Sequence, residues 1–113
     1  MATAYIAYGR PALPVPSGYQ SGAGISIFGL TVESEALAIG GSAVTGAVVG
    51  AATKSIAHIT TDTACYFAVG TAPDPAASVA NAAVTSARQY LAAATPVDVP
   101  LPVGAKIAVI AVS

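Results

Sequence analysis

The residues of this chain that could take part in chemistry are few, and the first pair to consider is His58 and Cys65. They lie seven residues apart, close enough for adjacent antiparallel strands to bring them together as a catalytic Cys–His pair. Cys65, however, begins the apolar run Cys-Tyr-Phe-Ala-Val, and a thiol in apolar surroundings stays inert. The sequence therefore predicts that His58 is a strand histidine with a local hydrogen bond, not a catalytic base.

The second candidate is the pair of carboxylates at Glu33 and Glu35. On one strand, residues two apart point to the same face, where paired carboxylates can perform acid–base chemistry or hold a cation. No second acidic cluster accompanies them, so a solvated strand face is the favoured interpretation. One cysteine and one histidine cannot form a zinc cluster. We expect no catalytic, cofactor-binding or metal-binding residues, and we predict that the protein is not an enzyme.

The composition of the chain is more informative about its surface than about catalysis. Charged residues make up 8% of the chain, against roughly 25% in an ordinary soluble domain. Hydrophobic residues reach 55%, and most of them are alanine and valine. So little charge predicts burial against partners or in a membrane. Nucleic-acid binding is not expected, because the four basic residues are too scattered to neutralise several phosphates: Arg10, Lys54, Arg88 and Lys106.

A membrane span is the alternative for residues 36–53, which carry no charge and include the GxxxG match at 46–50. Their glycines make a poor helix, and no Lys/Arg cluster flanks them. Two strands joined at Gly40-Gly41 are the better interpretation, and no membrane partner is expected. The first residues lack the basic and apolar regions of a secretory signal, so none is predicted.

From Ile25 onward, apolar residues recur with a period of two more often than 3.6, which is typical of strands. Residues 76–94 are alanine-rich and could form a helix or a loop; we predict a loop to about residue 87 and then a strand. The proline-rich segment 95–102 is expected at a sheet edge. The fold class predicted is all-β: a single β-sandwich of jelly-roll or Greek-key type with at most one short helix.

Residues 1–24 differ from the sandwich domain predicted for residues 25–113. Their prolines favour extended backbone, and their tyrosines offer contact area with few rotamers. We predict an extended N-terminal arm laid on a neighbouring subunit. Its expected interface residues are Tyr5, Tyr8, Arg10, Pro14, Pro16 and Tyr19.

Three segments resemble, in order and spacing, small virion proteins of tailed phages. They are Ile39-Gly-Gly-Ser-Ala43, the run from Thr63 to Pro73 with its Gly-x-x-Pro ending, and the late strand Leu101-Pro-Val-Gly-Ala-Lys-Ile-Ala-Val-Ile110. The resemblance spans roughly residues 31–112. It implies a β-sandwich protein of the capsid decoration (cement) or head-protein type, and it implies no catalytic residues.

That resemblance leads to one main hypothesis and two alternatives. The main one is a structural virion protein, assembled in the host cytoplasm, that stabilises a capsid by binding the major capsid protein and its own copies. A short chain with little charge favours a homo-oligomer, of which a trimer is the expected form. The alternatives are a cell-surface or adhesive binding module and a small membrane protein.

Overall fold

A computed structural model of the chain describes residues 2–12, 27–76 and 87–112. Within these ranges the structure is all-β: it contains eight strands and no helix. The strands are β1 (Thr3–Ala12), β2 (Ile27–Ala38), β3 (Val44–Thr45), β4 (Ile56–Thr61), β5 (Cys65–Gly70), β6 (Gln89–Leu91), β7 (Val97–Pro100) and β8 (Lys106–Ala111). No helix in this part of the chain is long and apolar enough to cross a membrane.

The strands form two antiparallel sheets of four strands each, and these pack together as a sandwich. The first sheet has the order β2-β1-β4-β7 and the second β3-β8-β5-β6. The period-two pattern that predicted strands is the pattern of burial: in β4, Ala57, Ile59 and Thr61 are buried while His58 and Thr60 are partly exposed. The fold class predicted from the sequence, an all-β sandwich, is confirmed.

The core lies between the sheets and is built from the inward face of every long strand. The largest side chains in it are Tyr8, Phe67, Ile6, Ile59 and Ile107. Much of the remainder is alanine and valine, which bury little area per residue. The stability of the sandwich therefore depends on many small contacts rather than on a few large side chains.

The Gly40-Gly41 pair connects the two sheets, as the predicted turn between strands. The Ile39 amide just before it donates to the Ala2 carbonyl beside the first sheet, at 3.0 Å. The Gly40 carbonyl accepts from the Ala111 amide of β8 in the second sheet, at 2.9 Å. The chain thus crosses from sheet to sheet within two residues.

The predicted arm requires correction over residues 3–12. These residues form β1, which lies between β2 and β4 inside the first sheet, and Ala4 and Ile6 belong to the core. The proline and glycine content of residues 1–24 suggested an arm, but apolar alternation within residues 3–12 directs that stretch into the sandwich. Residues 13–24 lie outside the described residues.

The β1–β2 hairpin extends beyond the rest of the first sheet. β1 pairs with β2 from Thr3 to Ala12 but with β4 only from Ala4 to Gly9. Residues 10–12 and 27–30 therefore continue as a two-stranded ribbon, with register shifts after Tyr8 and Arg10. Shifts of this kind bend and twist a hairpin. Residues 13–26 join the two strands of this ribbon.

The structure also tests the predictions for the proline-rich segment 95–102 and for the alanine-rich residues 76–94. β7 covers residues 97–100 and lies at an edge of the first sheet, as predicted for residues 95–102. A strand, β6, follows residue 87 as predicted. Residues 77–86, where helix and loop were the alternatives, lie outside the described residues.

Candidate functional site

His58 and Cys65 do not meet. His58 lies on the outer face of the first sheet, where its Nδ1 is 2.6 Å from an oxygen of Asp98 on β7. Cys65 is completely buried in β5 of the second sheet, and burial raises the pKa of its thiol. The expected local hydrogen bond of His58 is present, and the thiol is held in its protonated, unreactive form.

The two carboxylates point to the same face of β2, but they have separate roles and different exposure. Glu33 is exposed and forms an ion pair of 3.1 Å with Lys54. Glu35 is partly buried and accepts hydrogen bonds from the Tyr8 hydroxyl and, at 3.0 Å, from the Ala47 amide. The solvated face predicted for the pair is therefore correct for Glu33 and wrong for Glu35, because β1 and the chain after β3 supply donors that the sequence of β2 does not reveal.

Tyr8 is wrong as an interface residue, because its side chain is fully buried in the core. Burial, with Glu35 as hydrogen-bond partner, raises the pKa of Tyr8 well above the usual range of a phenol. The hydroxyl therefore stays protonated and donates to Glu35. We call Tyr8, Glu35 and Ala47 the clasp, since they connect the first sheet to the segment that follows β3 of the second.

Gly46 provides the space that the clasp needs. A Cβ atom at this position would overlap the Glu35 carboxylate and press on the Tyr8 hydroxyl. The Gly46 amide also donates to the Ile107 carbonyl of β8 at 2.8 Å, which holds the backbone close to the second sheet. A side chain here would therefore displace the carboxylate from both of its donors.

A trough runs along the outer face of the first sheet. Its floor is formed by Ala7 of β1, which follows Tyr5 on the same face of the strand. β2 contributes Ser34 and Ala36 to one side, and β4 contributes His58 and Thr60 to the other. Its volume is about 370 Å³. Tyr5 is 55% exposed and stands at one end.

An aromatic patch occupies the outer face of the second sheet. The rings of Tyr66 and Tyr90 on neighbouring strands meet edge to face, with centroids 6.0 Å apart. The Arg88 guanidinium lies 4.4 Å from the centroid of the Tyr66 ring. Tyr90 is 59% exposed, so the patch is accessible. Stacked Tyr and Arg side chains of this kind are characteristic of protein interfaces.

The other predicted interface residues have different positions. Tyr5 lies at the end of the trough, and Arg10 is exposed where the ribbon leaves the sheet. Pro14, Pro16 and Tyr19 lie outside the described residues. Whether any of these residues contacts a partner stays a prediction.

Sequence reasoning missed Asp98 and the aromatic patch. The alternation of Val97, Asp98 and Val99 could have placed Asp98 on an outer face, but no sequence feature links it to His58, forty residues earlier. Arg88 and Tyr66 are likewise joined only by the β5–β6 pairing. Within the described residues, no group of three or more His, Cys, Asp or Glu side chains could hold a metal ion.

Comparison with protein-family models, with curated proteins and with solved structures gave no match for this chain.

The clasp predicts that stability falls at high pH. An unfolded tyrosine releases its proton near pH 10, whereas folded Tyr8 retains it, so the free energy of unfolding should decrease as the pH rises above about 10. The slope assigned to Tyr8 is at most about 1.4 kcal/mol per pH unit. The free energy of unfolding, measured with urea between pH 9 and 11.5, should no longer show this slope in the Tyr8→Phe variant. The exposed-residue control, Tyr5→Phe, should keep it; equal slopes for wild type and Tyr8→Phe would contradict the assignment.

The space at Gly46 predicts a large difference between two glycine substitutions. Gly46→Ala should lower the free energy of unfolding by about 1–3 kcal/mol, because it displaces Glu35 and leaves the buried Tyr8 hydroxyl unpaired. Gly41→Ala is the control, since its Cβ meets nothing within 4 Å, and it should be neutral or slightly stabilising. In a double-mutant cycle, Tyr8→Phe should reduce the cost of Gly46→Ala. Strict additivity would show that Gly46 acts independently of the clasp.

Proposed function

We propose that this protein is a structural virion protein that decorates a phage capsid, binding the major capsid protein and its own copies. The observation that carries the proposal is the ribbon at residues 10–12 and 27–30, which extends past β4 from the first sheet. Residues 13–26, which join its two strands in the sequence, contain Pro14, Pro16 and Tyr19. A ribbon that continues from a core sheet is already ordered, so its strand residues lose little entropy when they bind a partner.

The surface chemistry supports the same proposal. Several large apolar side chains are exposed on separate parts of the sandwich: Val32, Val49, Tyr90 and Val112. Few charges accompany them, and charged residues are depleted in the buried centres of protein interfaces. A surface of this composition suits a protein that works in contact with a shell and with neighbouring copies.

The two contacts are assigned to different parts of the fold. The ribbon, with Arg10 at its base, contacts the shell. The aromatic patch contacts a different surface on the next copy, and such a contact forms a closed trimer when each copy is rotated by a third of a turn relative to the last. Tyr66, Tyr90 and Arg88 are the residue types that contribute most binding energy in interfaces. The protein would then be located in the virion after assembly in the host cytoplasm.

A cell-surface or adhesive binding module is the second candidate. The trough on the first sheet favours it, since a concave surface with one aromatic and several polar side chains is suited to a small ligand. The trough and the aromatic patch lie on opposite outer faces, so attachment and ligand binding would not compete for one surface.

The proposed self-association predicts a mass in solution three times that of the 10.9 kDa chain. Light scattering at micromolar concentration measures it. Tyr90→Ala should shift the mass toward that of the monomer, because it removes an exposed ring from the proposed contact. Val103→Ser, at an exposed residue in the turn before β8, is the control and should not. A wild-type protein that stays monomeric would contradict the trimer.

The proposed attachment predicts that the hairpin is needed for binding to the capsid. A variant in which a short Asn-Gly turn replaces residues 13–26 retains β1 and β2, so the sandwich should fold. Its affinity for undecorated capsids should fall at least about tenfold, which corresponds to about 1.4 kcal/mol. Occupancy and heat resistance of the particles are the readouts, and Val103→Ser is again the control. Equal occupancy for wild type and the shortened hairpin would place the attachment elsewhere.

A further inference from the structure

The trough on the first sheet results from the order of side chains on the central strand. Along the outer face of β1, the large ring of Tyr5 is followed by the methyl group of Ala7. Ser34 and His58 are the cross-strand neighbours of Ala7 on its two sides. The floor is therefore low where the flanking residues are larger, and a groove open to solvent runs parallel to the strand from the Tyr5 ring.

The polar groups of the trough define the ligand that would fit it. Ser34 and Thr60 supply hydroxyls, which can both donate and accept hydrogen bonds. The His58–Asp98 pair adds a further polar group at the β4 side. No lysine or arginine belongs to the described lining, so nothing there compensates the charge of an anion. A cation has no unpaired carboxylate to bind, since Glu35 turns to the clasp and Asp98 bonds His58.

These features favour a ligand that is neutral, rich in hydroxyls and apolar on one face. The volume of about 370 Å³ lies within the range of small-molecule sites. The exposed Tyr5 ring offers a flat apolar surface whose edge lies next to the hydroxyl-bearing walls. A sugar ring has this combination of an apolar C–H face and a rim of hydroxyls.

We propose that the trough binds a neutral saccharide. One sugar ring packs its C–H face against Tyr5, and its hydroxyls exchange hydrogen bonds with Ser34 and Thr60. The His58–Asp98 pair bounds the site on the β4 side. The proposal does not rest on capsid attachment, which is assigned to the ribbon and to the opposite face.

The test uses the full chain and the imidazole signals of His58, which is the only histidine and therefore an unambiguous NMR reporter in the site. The probes are the methyl glycosides of glucose, galactose, mannose and N-acetylglucosamine, each titrated to high millimolar concentration, and the disaccharides cellobiose and maltose. At least one probe should shift the His58 signals saturably, with a Kd in the millimolar range or tighter. Glucuronate should bind more weakly than the methyl glycoside of glucose, since the lining offers no cation.

Variants connect the signal to the trough. Tyr5→Ala should weaken binding at least about tenfold, Tyr5→Phe should retain it, and Ser34→Ala should weaken it several-fold. Val103→Ser, at an exposed residue outside the trough and outside both proposed contacts, is the control and should bind as wild type. Unchanged backbone amide spectra would show that each variant is folded. The proposal is overturned if no probe gives a saturable shift, or if Tyr5→Ala binds as tightly as wild type.

The saccharide-binding experiment and the capsid-attachment experiment can fail independently of each other. Tyr5→Ala should lose saccharide binding and keep capsid occupancy, whereas the shortened hairpin should do the reverse. Loss of both properties in Tyr5→Ala would assign the outer face of the first sheet to the shell and remove the basis for a saccharide site.

Discussion

The clasp is the interaction on which the rest of this structure depends. A sandwich whose core includes many alanines and valines buries little area at those positions, and so it has little margin for misalignment of its two sheets. Tyr8 places the largest fully buried side chain in the middle of the first sheet, and its hydroxyl must be satisfied there. Glu35 satisfies it and at the same time binds the Ala47 amide beyond β3. The same contact that resolves a buried polar group therefore sets the position of one sheet on the other, and Gly46 is needed because the carboxylate occupies the space of a side chain.

The inner faces of the two sheets form the core, so the side chains on their outer faces are not constrained by this packing. The two outer faces accordingly differ in shape and composition. The first sheet carries small residues along its central strand and so presents a trough, while the second carries paired aromatic rings with a stacked arginine. Both surfaces are poor in charge. Exposed apolar groups in the trough and in the aromatic patch contribute nothing to stability while they face water. Each of these two surfaces could instead bind a different partner.

The β1–β2 hairpin joins the core to the region proposed for attachment. An arm outside the fold would lose its conformational freedom on binding, which costs free energy. A ribbon that continues directly from a core strand carries much less of that cost, because Ile6 and Tyr8 already hold β1 in place. The correction to the predicted arm thus changes the physical account as well as the boundaries. Tyr8 belongs to the core, Tyr5 stands at the trough, and residues 3–12 form a strand inside the first sheet.

The sequence by itself determined the fold class, the β5 and β8 strands, the edge position of the proline-rich segment and the unreactive state of Cys65. Each of these follows from local properties, namely alternation, the missing amide of proline and the apolar neighbours of the thiol. Only the tertiary structure decided that residues 3–12 form a central strand, that Tyr8 is buried against Glu35, and that His58 pairs with Asp98. Those outcomes depend on the order of strands in the sheets, which brings together residues tens of positions apart, and alternation along one strand contains no information about which strand lies beside it.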